Sequence, residues 1–441
     1  MKPMVLFLAA AALCAQTRGP LPLSLKRAVE IAISPEGSAN VQLSDEALKQ
    51  AESRAAQSRA ALLPNVDAQW SDQSRTVNLA AMGLTFTQLI PIPGIHIPTF
   101  VGPFTTMDAR VSGSQTVFDF SSIKRYQAAR SGVSAATSDI DRVQEQVAAQ
   151  VARAYLSAVK ADADVETAQA NVELSQAVLA QAEHQKEAGT GTGIEITRAK
   201  VQLANDRQRL LEAQNARTDA RLRLLRAMGM RLDTELLLTD KLQYTPVDPV
   251  ELADARAQAL KTRPDLKAQQ DREATARLSA SATKMERLPS VAAFGDYGTI
   301  GTGITNAVPT RTYGISVRVP IFDGGRRDAR RAESASQYRS EQVRTNDLKE
   351  QVELDVRLAL DALHSADDQV KVANEGLELA GNELAQARRR YDAGVGTSLE
   401  VTDAQTRLER ARDNQVQALY RHSVARIDLA ESMGRVRTTV Q

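Results

Sequence analysis

The chain has 441 residues, 25% charged and 43% hydrophobic, with a formal net charge of +1. Charges so evenly balanced present no basic field for nucleic acid, and aromatics at 4% argue against a large conventional globular core. Cys14 is the single cysteine, which excludes a disulfide framework and any cysteine-based metal site.

Residues 1–15 read as a secretory signal peptide, with Lys2 as a minimal positive start, an apolar stretch from Val5 to Leu13, and cleavage after Ala15. The stretch is too short to span a bilayer, and no later segment reaches about 18 uninterrupted apolar residues. An exported chain without transmembrane helices is expected. Cys14 is expected to leave with the signal; lipidation is the alternative, although Leu13 stands where a lipid signal wants a small residue.

Residues 16–43 form a mixed lead-in with a helix-like stretch at Leu23–Ile33. A helix is predicted over 44–63, with Ser44 as its N-cap and Pro64 as its stop. Strands are predicted within 65–118, from Val66, Ala68 and Trp70, then Val77, Leu79 and Ala81, then Val111 to Phe120. Pro91, Pro93, Gly94, Pro98, Gly102 and Pro103 suit an irregular loop at the tip of this hairpin. A long helix over 121–188 follows, then a turn at Ala188–Gly193 and a return helix over 194–229.

A mixed connector containing Leu236–Leu238, Leu242, Tyr244, Pro246 and Pro249 leads to helices over 250–262 and 265–288, the second stopped by Pro289. Strands are predicted within 290–321. Val291, Ala293, Phe294 and Tyr297 precede a Gly/Thr-rich turn from Gly298 to Gly303. Tyr313, Ile315, Val317, Val319 and Ile321 then alternate with Gly314, Ser316, Arg318 and Pro320, the period of a strand with one apolar and one polar face. Helices over 323–392 and 399–434 close the chain.

The two halves are copies. Ala188-Gly189, Gly191-Thr192, Glu195, Leu203, Arg207 and Met228-Gly229 recur 205 residues later as Ala393-Gly394, Gly396-Thr397, Glu400, Leu408, Arg412 and Met433-Gly434. Residues 16–240 and 241–441 are therefore read as two repeats of one structural unit. Ile140, Val147, Ala154, Ala161 and Ala168 follow a seven-residue apolar spacing, and so do Val352, Ala359, Ala366, Ala373 and Ala380. Such spacing signals supercoiled helices, and helices of about 68 to 70 residues are rods of roughly 100 Å. Four strands per chain cannot close a sheet by themselves, and a membrane-spanning sheet must close to satisfy its backbone. Three copies would supply twelve strands, an even number within the range of outer-membrane barrels.

Two copies of helix, Leu-Pro, hairpin, aromatic-Asp junction, very long helix, glycine turn and return helix resemble the TolC-like outer-membrane efflux proteins. The matching residues include Leu63-Pro64, Leu288-Pro289, Phe118-Asp119, Phe322-Asp323-Gly324-Gly325, Thr262-Arg263-Pro264-Asp265-Leu266 and the run from Tyr391 to Gln405. The resemblance implies a mainly α fold with a small β part, in which duplicated helical hairpins form an α-barrel tunnel. Four strands per chain would contribute to a trimeric twelve-stranded transmembrane β-barrel. It implies a homotrimer in the outer membrane lipid, extending into the periplasm. There it would meet a periplasmic adaptor and an inner-membrane pump of RND or ABC type. Substrates would pass through passively, in efflux or type I secretion.

The resemblance also implies roles for particular residues. The turns holding Gly189, Gly191 and Gly193 and holding Gly394 and Gly396 would dock the adaptor. Glu400 and Asp403, three residues apart on one helix face, match acids that line the periplasmic aperture, although acids also suit a solvated first helical turn. Tyr391 matches a tyrosine that ties the aperture shut, and Glu195 matches its acidic partner. Gly396 stands where the best-known member has an arginine, and Ile194 replaces a polar contact, so fewer or different hydrogen bonds would close this aperture.

No catalytic chemistry is expected. His96, His184, His364 and His422 show no metal-ligand spacing, the three helical ones are expected at the solvated surface, and no cofactor or metal is implied. Arg207-Gln208-Arg209 and Arg388 to Arg390 are expected on solvated faces. A periplasmic adaptor or a structural coiled-coil envelope protein remains the alternative, the first with a single hairpin and the second without alternating strands.

Overall fold

The protein is described by a computed structural model covering residues 20–83, 99–246 and 251–439. The signal-like residues 1–15, with Cys14, lie outside the described residues, as do Pro91, Pro93, Gly94, His96, Pro98 and Pro249. The chain divides into two compact units, and the boundaries fall inside four helices: α2 (Ala39–Ala60), α3 (Phe120–Glu187), α6 (Pro264–Met285) and α7 (Arg326–Asp392).

The first unit takes Met1–Leu48, Ala136–Ala268 and Thr345–Gln441. Here β1 (Leu21–Leu23) pairs in parallel with β4 (Leu236–Leu238). It also holds α1 (Leu25–Ile33), α4 (Gly193–Met228), α5 (Leu252–Thr262), α8 (Ser398–Ser432) and the short α9 (Val436–Thr439). The heptad seams are its core. Val147, Val151, Ala158, Ala161, Leu224 and Met228 pack in one cluster, and Val352, Val356, Ala359, Leu363, Ala366 and Leu429 in another. Alanine at so many seam positions lets backbones approach closely. Tyr155 is the largest fully buried side chain, and its hydroxyl donates to the Leu23 carbonyl at 2.8 Å.

The second unit takes Lys49–Ala135 and Gln269–Arg344. It contains a four-stranded antiparallel sheet in the order β2 (Asn65–Asn78), β3 (Phe100–Phe118), β5 (Ser290–Gly301), β6 (Val308–Arg318). The edges, β2 and β6, each pair on one side only. Trp70 lies opposite Ala109, Val111 opposite Tyr297, and Val291 opposite Val317. Directly opposed residues share a face, so Trp70, Val111, Tyr297, Tyr313, Ile315 and Val317 form one apolar face, all exposed in the single chain.

Several local expectations need correction. Helix α2 starts at Ala39, not Ser44. Ser38 opens it, its carbonyl accepting from Val41 N–H at 3.0 Å. Ser44 sits inside and bonds back to the Val41 carbonyl at 2.7 Å, as a mid-helix serine can. Leu79 and Ala81 are not strand: Ala80–Met82 forms a 3₁₀ turn. Gly102 and Pro103 lie in β3 rather than in the hairpin tip. They fall where the pairing slips between Arg75 and Val77, so the missing proline N–H breaks no ladder bond. Gly298 to Gly301 also continue a strand, β5. At Gly298 a Cβ would lie 2.4 Å from the Ala109 carbonyl oxygen, so the residue is glycine for close strand approach. Helix α7 begins at Arg326 because Gly324 and Gly325 have φ of +68° and +83°.

Candidate functional site

The two glycine turns are built alike. In the first, Thr190 and Gly191 N–H both donate to the Gln185 carbonyl at 2.9 Å, and Gly189 takes φ +77°. In the second, Val395 and Gly396 N–H both donate to the Arg390 carbonyl at 3.0 Å, and Gly394 takes φ +73°. A Cβ at Gly191 would stand 2.9 Å from Lys186 N, and one at Gly396 would stand 3.0 Å from the Arg390 Cβ. These four glycines are required by left-handed backbone or by close approach. Gly193 is different: it is the first residue of α4, and nothing lies within 4 Å of its would-be Cβ.

The helices leaving the turns are capped by Thr192 and Thr397. Glu195 is spent locally, its carboxylate accepting from Thr192 N–H at 2.8 Å. Glu400, its counterpart, instead takes Arg390 at 3.3 Å, so Arg390 is not simply a solvated charge. Asp403 is exposed and makes no hydrogen bond or ion pair among the described residues. Tyr391 is buried against Leu384, Val401 and Leu408, with Leu174 and Val178 of α3 beside them. Its hydroxyl has no hydrogen-bond partner among the described residues, so Tyr391 and Glu195 are not bonded within the chain. Burial first, then the Glu195 and Asp392 carboxylates, push the Tyr391 pKa up. Asp392 is the residue that reaches across, accepting a hydrogen bond from Gln181 of α3.

A second belt, invisible to the motif reading, joins the two helical hairpins. Ser175 donates to Asp206 and accepts from Gln405 at 2.7 Å. Glu409 accepts from Arg209 at 2.8 Å and from Gln202 at 3.3 Å. Arg412 donates to Asn171 at 2.8 Å. Ser175, Asp206, Gln405 and Glu409 are at most 2% exposed. Burial pushes the Glu409 pKa up and Asp206 adds to this, while Arg209 opposes. Burial also raises Asp413, helped by Asp164 and opposed by Arg209 and Lys160. The sequence carried a cue in the mismatch of the copies: Ser175 aligns with Ala380, Asp206 with Ala411, and Glu409 with Ala204. Arg209 lies on the expected solvated face, its side chain 56% exposed, and its guanidinium also reaches this belt.

His422 corrects another expectation. It is 1% exposed, with its ring centroid 5.1 Å from that of Tyr244. Burial, then Arg426, lower its pKa, while Asp367 raises it. His184 and His364 are exposed. Among the described residues no group of three His, Cys, Asp or Glu side chains is arranged to hold a metal, and no helix is long and apolar enough to cross a membrane.

Comparison with known proteins agrees on the architecture. The family model described as outer membrane efflux protein matches residues 36–230 and 255–435, once in each copy. The pyoverdine export outer membrane protein OpmQ of Pseudomonas putida is 25% identical over 345 residues, which is 75% of this chain and 71% of the relative. The alkaline protease secretion protein AprF of Pseudomonas aeruginosa is 24% identical over 326 residues, 71% of this chain and 67% of the relative. The crystal structure of the CmeC outer membrane channel of Campylobacter jejuni superimposes with a TM-score of 0.79 at 16% identity, covering 93% of this chain and 85% of that one. At that identity the likeness speaks to the fold.

Proposed function

Because this chain belongs to the outer membrane efflux protein family, we propose that it is a passive exit duct of a tripartite efflux or type I secretion system, carrying solutes across the periplasm and outer membrane. The observation that carries this reading is the four-stranded sheet with one exposed apolar face and two open edges. Open edges in lipid must be paired, and the neighbours available to pair them are further copies of the same chain. A homotrimer closes the sheet with twelve strands, apolar residues toward lipid and polar residues toward the lumen.

In this reading the turns at Gly189–Gly191 and Gly394–Gly396 meet a periplasmic adaptor, which bridges to an inner-membrane pump of RND or ABC type. Glu195, Tyr391, Glu400 and Asp403 surround the periplasmic aperture. The closed state rests on Arg390–Glu400 and Gln181–Asp392, since the Tyr391 hydroxyl has no hydrogen-bond partner among the described residues. Asp403, exposed and without an ion pair among the described residues, supplies a carboxylate that repeats three times around the opening. In this reading the duct is passive, and energy is spent at the inner membrane. The test is detergent extraction of fractionated envelopes followed by single-channel recording. Recovery in the outer membrane with a stable conductance is expected; a soluble, non-conducting periplasmic product rejects the proposal.

A further inference from the structure

Where the strands of the second unit meet its helices, a cavity of about 230 Å³ is lined by five arginines, Arg125, Arg318, Arg326, Arg327 and Arg330. Their carboxylate partners are few. Arg125 and Arg330 share Glu286, at 2.5 and 3.2 Å. Arg327 and Arg326 share Asp323, at 3.4 and 4.0 Å. Asp119, also in the lining, is occupied by its own helix start, accepting from Ser121 N–H at 2.9 Å and from the Ser122 hydroxyl at 2.6 Å. Arg318 has no carboxylate partner among the described residues. Five guanidiniums thus face three carboxylates, and two positive charges per chain are left over.

The face to which this cradle opens follows from strand alternation. Arg318 is out of phase with Tyr313, Ile315 and Val317 and lies directly across from Ser290, which also lines the cavity. Arg318 and Ser290 therefore stand on the polar face of the sheet. In a closed barrel that face lines the lumen. Guanidinium groups offer forked donors suited to phosphate, sulfate or carboxylate.

We propose that this arginine cradle is an anion-binding site on the inner wall of the duct, accepting solutes that carry a phosphate, sulfate or carboxylate group and favouring anions at the strand–helix junction. The assignment rests on the duct reading, because only barrel closure turns the polar face inward. In a trimer the surplus charge repeats three times around one lumen, where a fixed field raises the local concentration of counter-ions.

Reversal potentials in planar bilayers of phosphatidylcholine, under a potassium chloride gradient with and without inorganic phosphate, test it. The double variant Arg318→Gln/Arg326→Gln is expected to lower the chloride-over-potassium permeability ratio by about twofold or more, and to lose block by phosphate. Arg318→Glu should lower the ratio further, and Arg318→Lys should retain it. Arg287→Gln, whose side chain pairs with Asp328 outside the cradle, should leave it unchanged. A conducting channel whose ratio is the same in the wild type, the double Gln variant and Arg318→Glu overturns the cradle while leaving the duct intact. A shift that appears only when phosphatidylglycerol is added would give these arginines to lipid headgroups and overturn the assignment too. No conductance from any form overturns the duct reading and the cradle with it.

Discussion

Replacing Glu409 by glutamine should leave the protein as stable or slightly more stable at neutral pH, although Glu409 is 2% exposed and accepts two hydrogen bonds. Glutamine keeps the volume and one acceptor. Gln202 retains Asp206 at 3.1 Å, and the Arg209 side chain is 56% exposed, so water replaces the lost charge. Against that small loss stands relief of a buried carboxylate beside Asp206. The net change is expected within about 1 kcal/mol of zero, whereas Glu409→Ala, which removes the acceptor and leaves a hole, should cost about 1–3 kcal/mol. The sign with pH follows from the raised pKa. A carboxyl whose folded pKa lies above its unfolded value stabilises the fold when protonated. That contribution is complete below the ordinary carboxylate range and is lost as pH rises through the raised value. The wild type should therefore melt higher on mild acidification. Glu409→Gln should weaken this trend, and adding Asp413→Asn should weaken it further. Thermal unfolding of the detergent-solubilised protein, followed by circular dichroism at neutral and mildly acidic pH, measures both. A Gln variant more than about 2 kcal/mol less stable at neutral pH, or one with an unaltered pH trend, would refute the reasoning.

Other outcomes are equally concrete. Arg390→Ala with Asp392→Ala removes the two exposed links proposed to hold the aperture closed, each worth at most about 1 kcal/mol, so open probability in bilayers should rise by up to about fivefold per link while the melting temperature holds; unchanged gating would remove these links from the proposed closed state. The glycines of the first turn should rank by geometry. Gly191→Ala forces a Cβ against the Lys186 backbone and should be the most damaging, Gly189→Ala at φ +77° should cost about 1 kcal/mol, and Gly193→Ala should be neutral or stabilising. Melting temperatures in any other order contradict the turn geometry. Tyr155→Phe should cost only about 1 kcal/mol, because the Leu23 carbonyl also accepts from Thr239 N–H at 3.0 Å; a larger loss would mean the ring has shifted.

The long-range plan was legible because its signals are local and repeated. Heptad spacing, the Leu-Pro pairs and the duplicated glycine turns each recur, and the alternation from Tyr313 to Val317 announces a two-faced strand, although β6 ends at Arg318 and leaves Val319 and Ile321 outside it. Features that depend on contacts distant in sequence were not legible. His422 aligns with Arg217 in the first copy, and its burial comes from Tyr244 of the connector, to which no periodicity points. Ser44 has the chemistry of a cap, but Ser38 reaches the free helix N–H groups first. Gly102 and Pro103 suggest a loop until the pairing slip opposite them is known. At the second glycine turn, residue types pointed to Glu400 and Tyr391, while the side chains that form bonds there are Arg390 with Glu400 and Gln181 with Asp392. The Glu409 belt was visible only as polar residues in one copy where the other has alanine.

The most direct test of the whole account is disulfide cross-linking between the open sheet edges of neighbouring copies, in protein whose native sequence holds cysteine only at position 14. Cysteines placed in pairs along β2 (Asp67, Gln69, Ser71) and β6 (Thr310, Thr312, Ser316) should yield covalent dimers and trimers in outer-membrane preparations, with one register strongly preferred. Monomer alone across every pairing would contradict a barrel shared between chains.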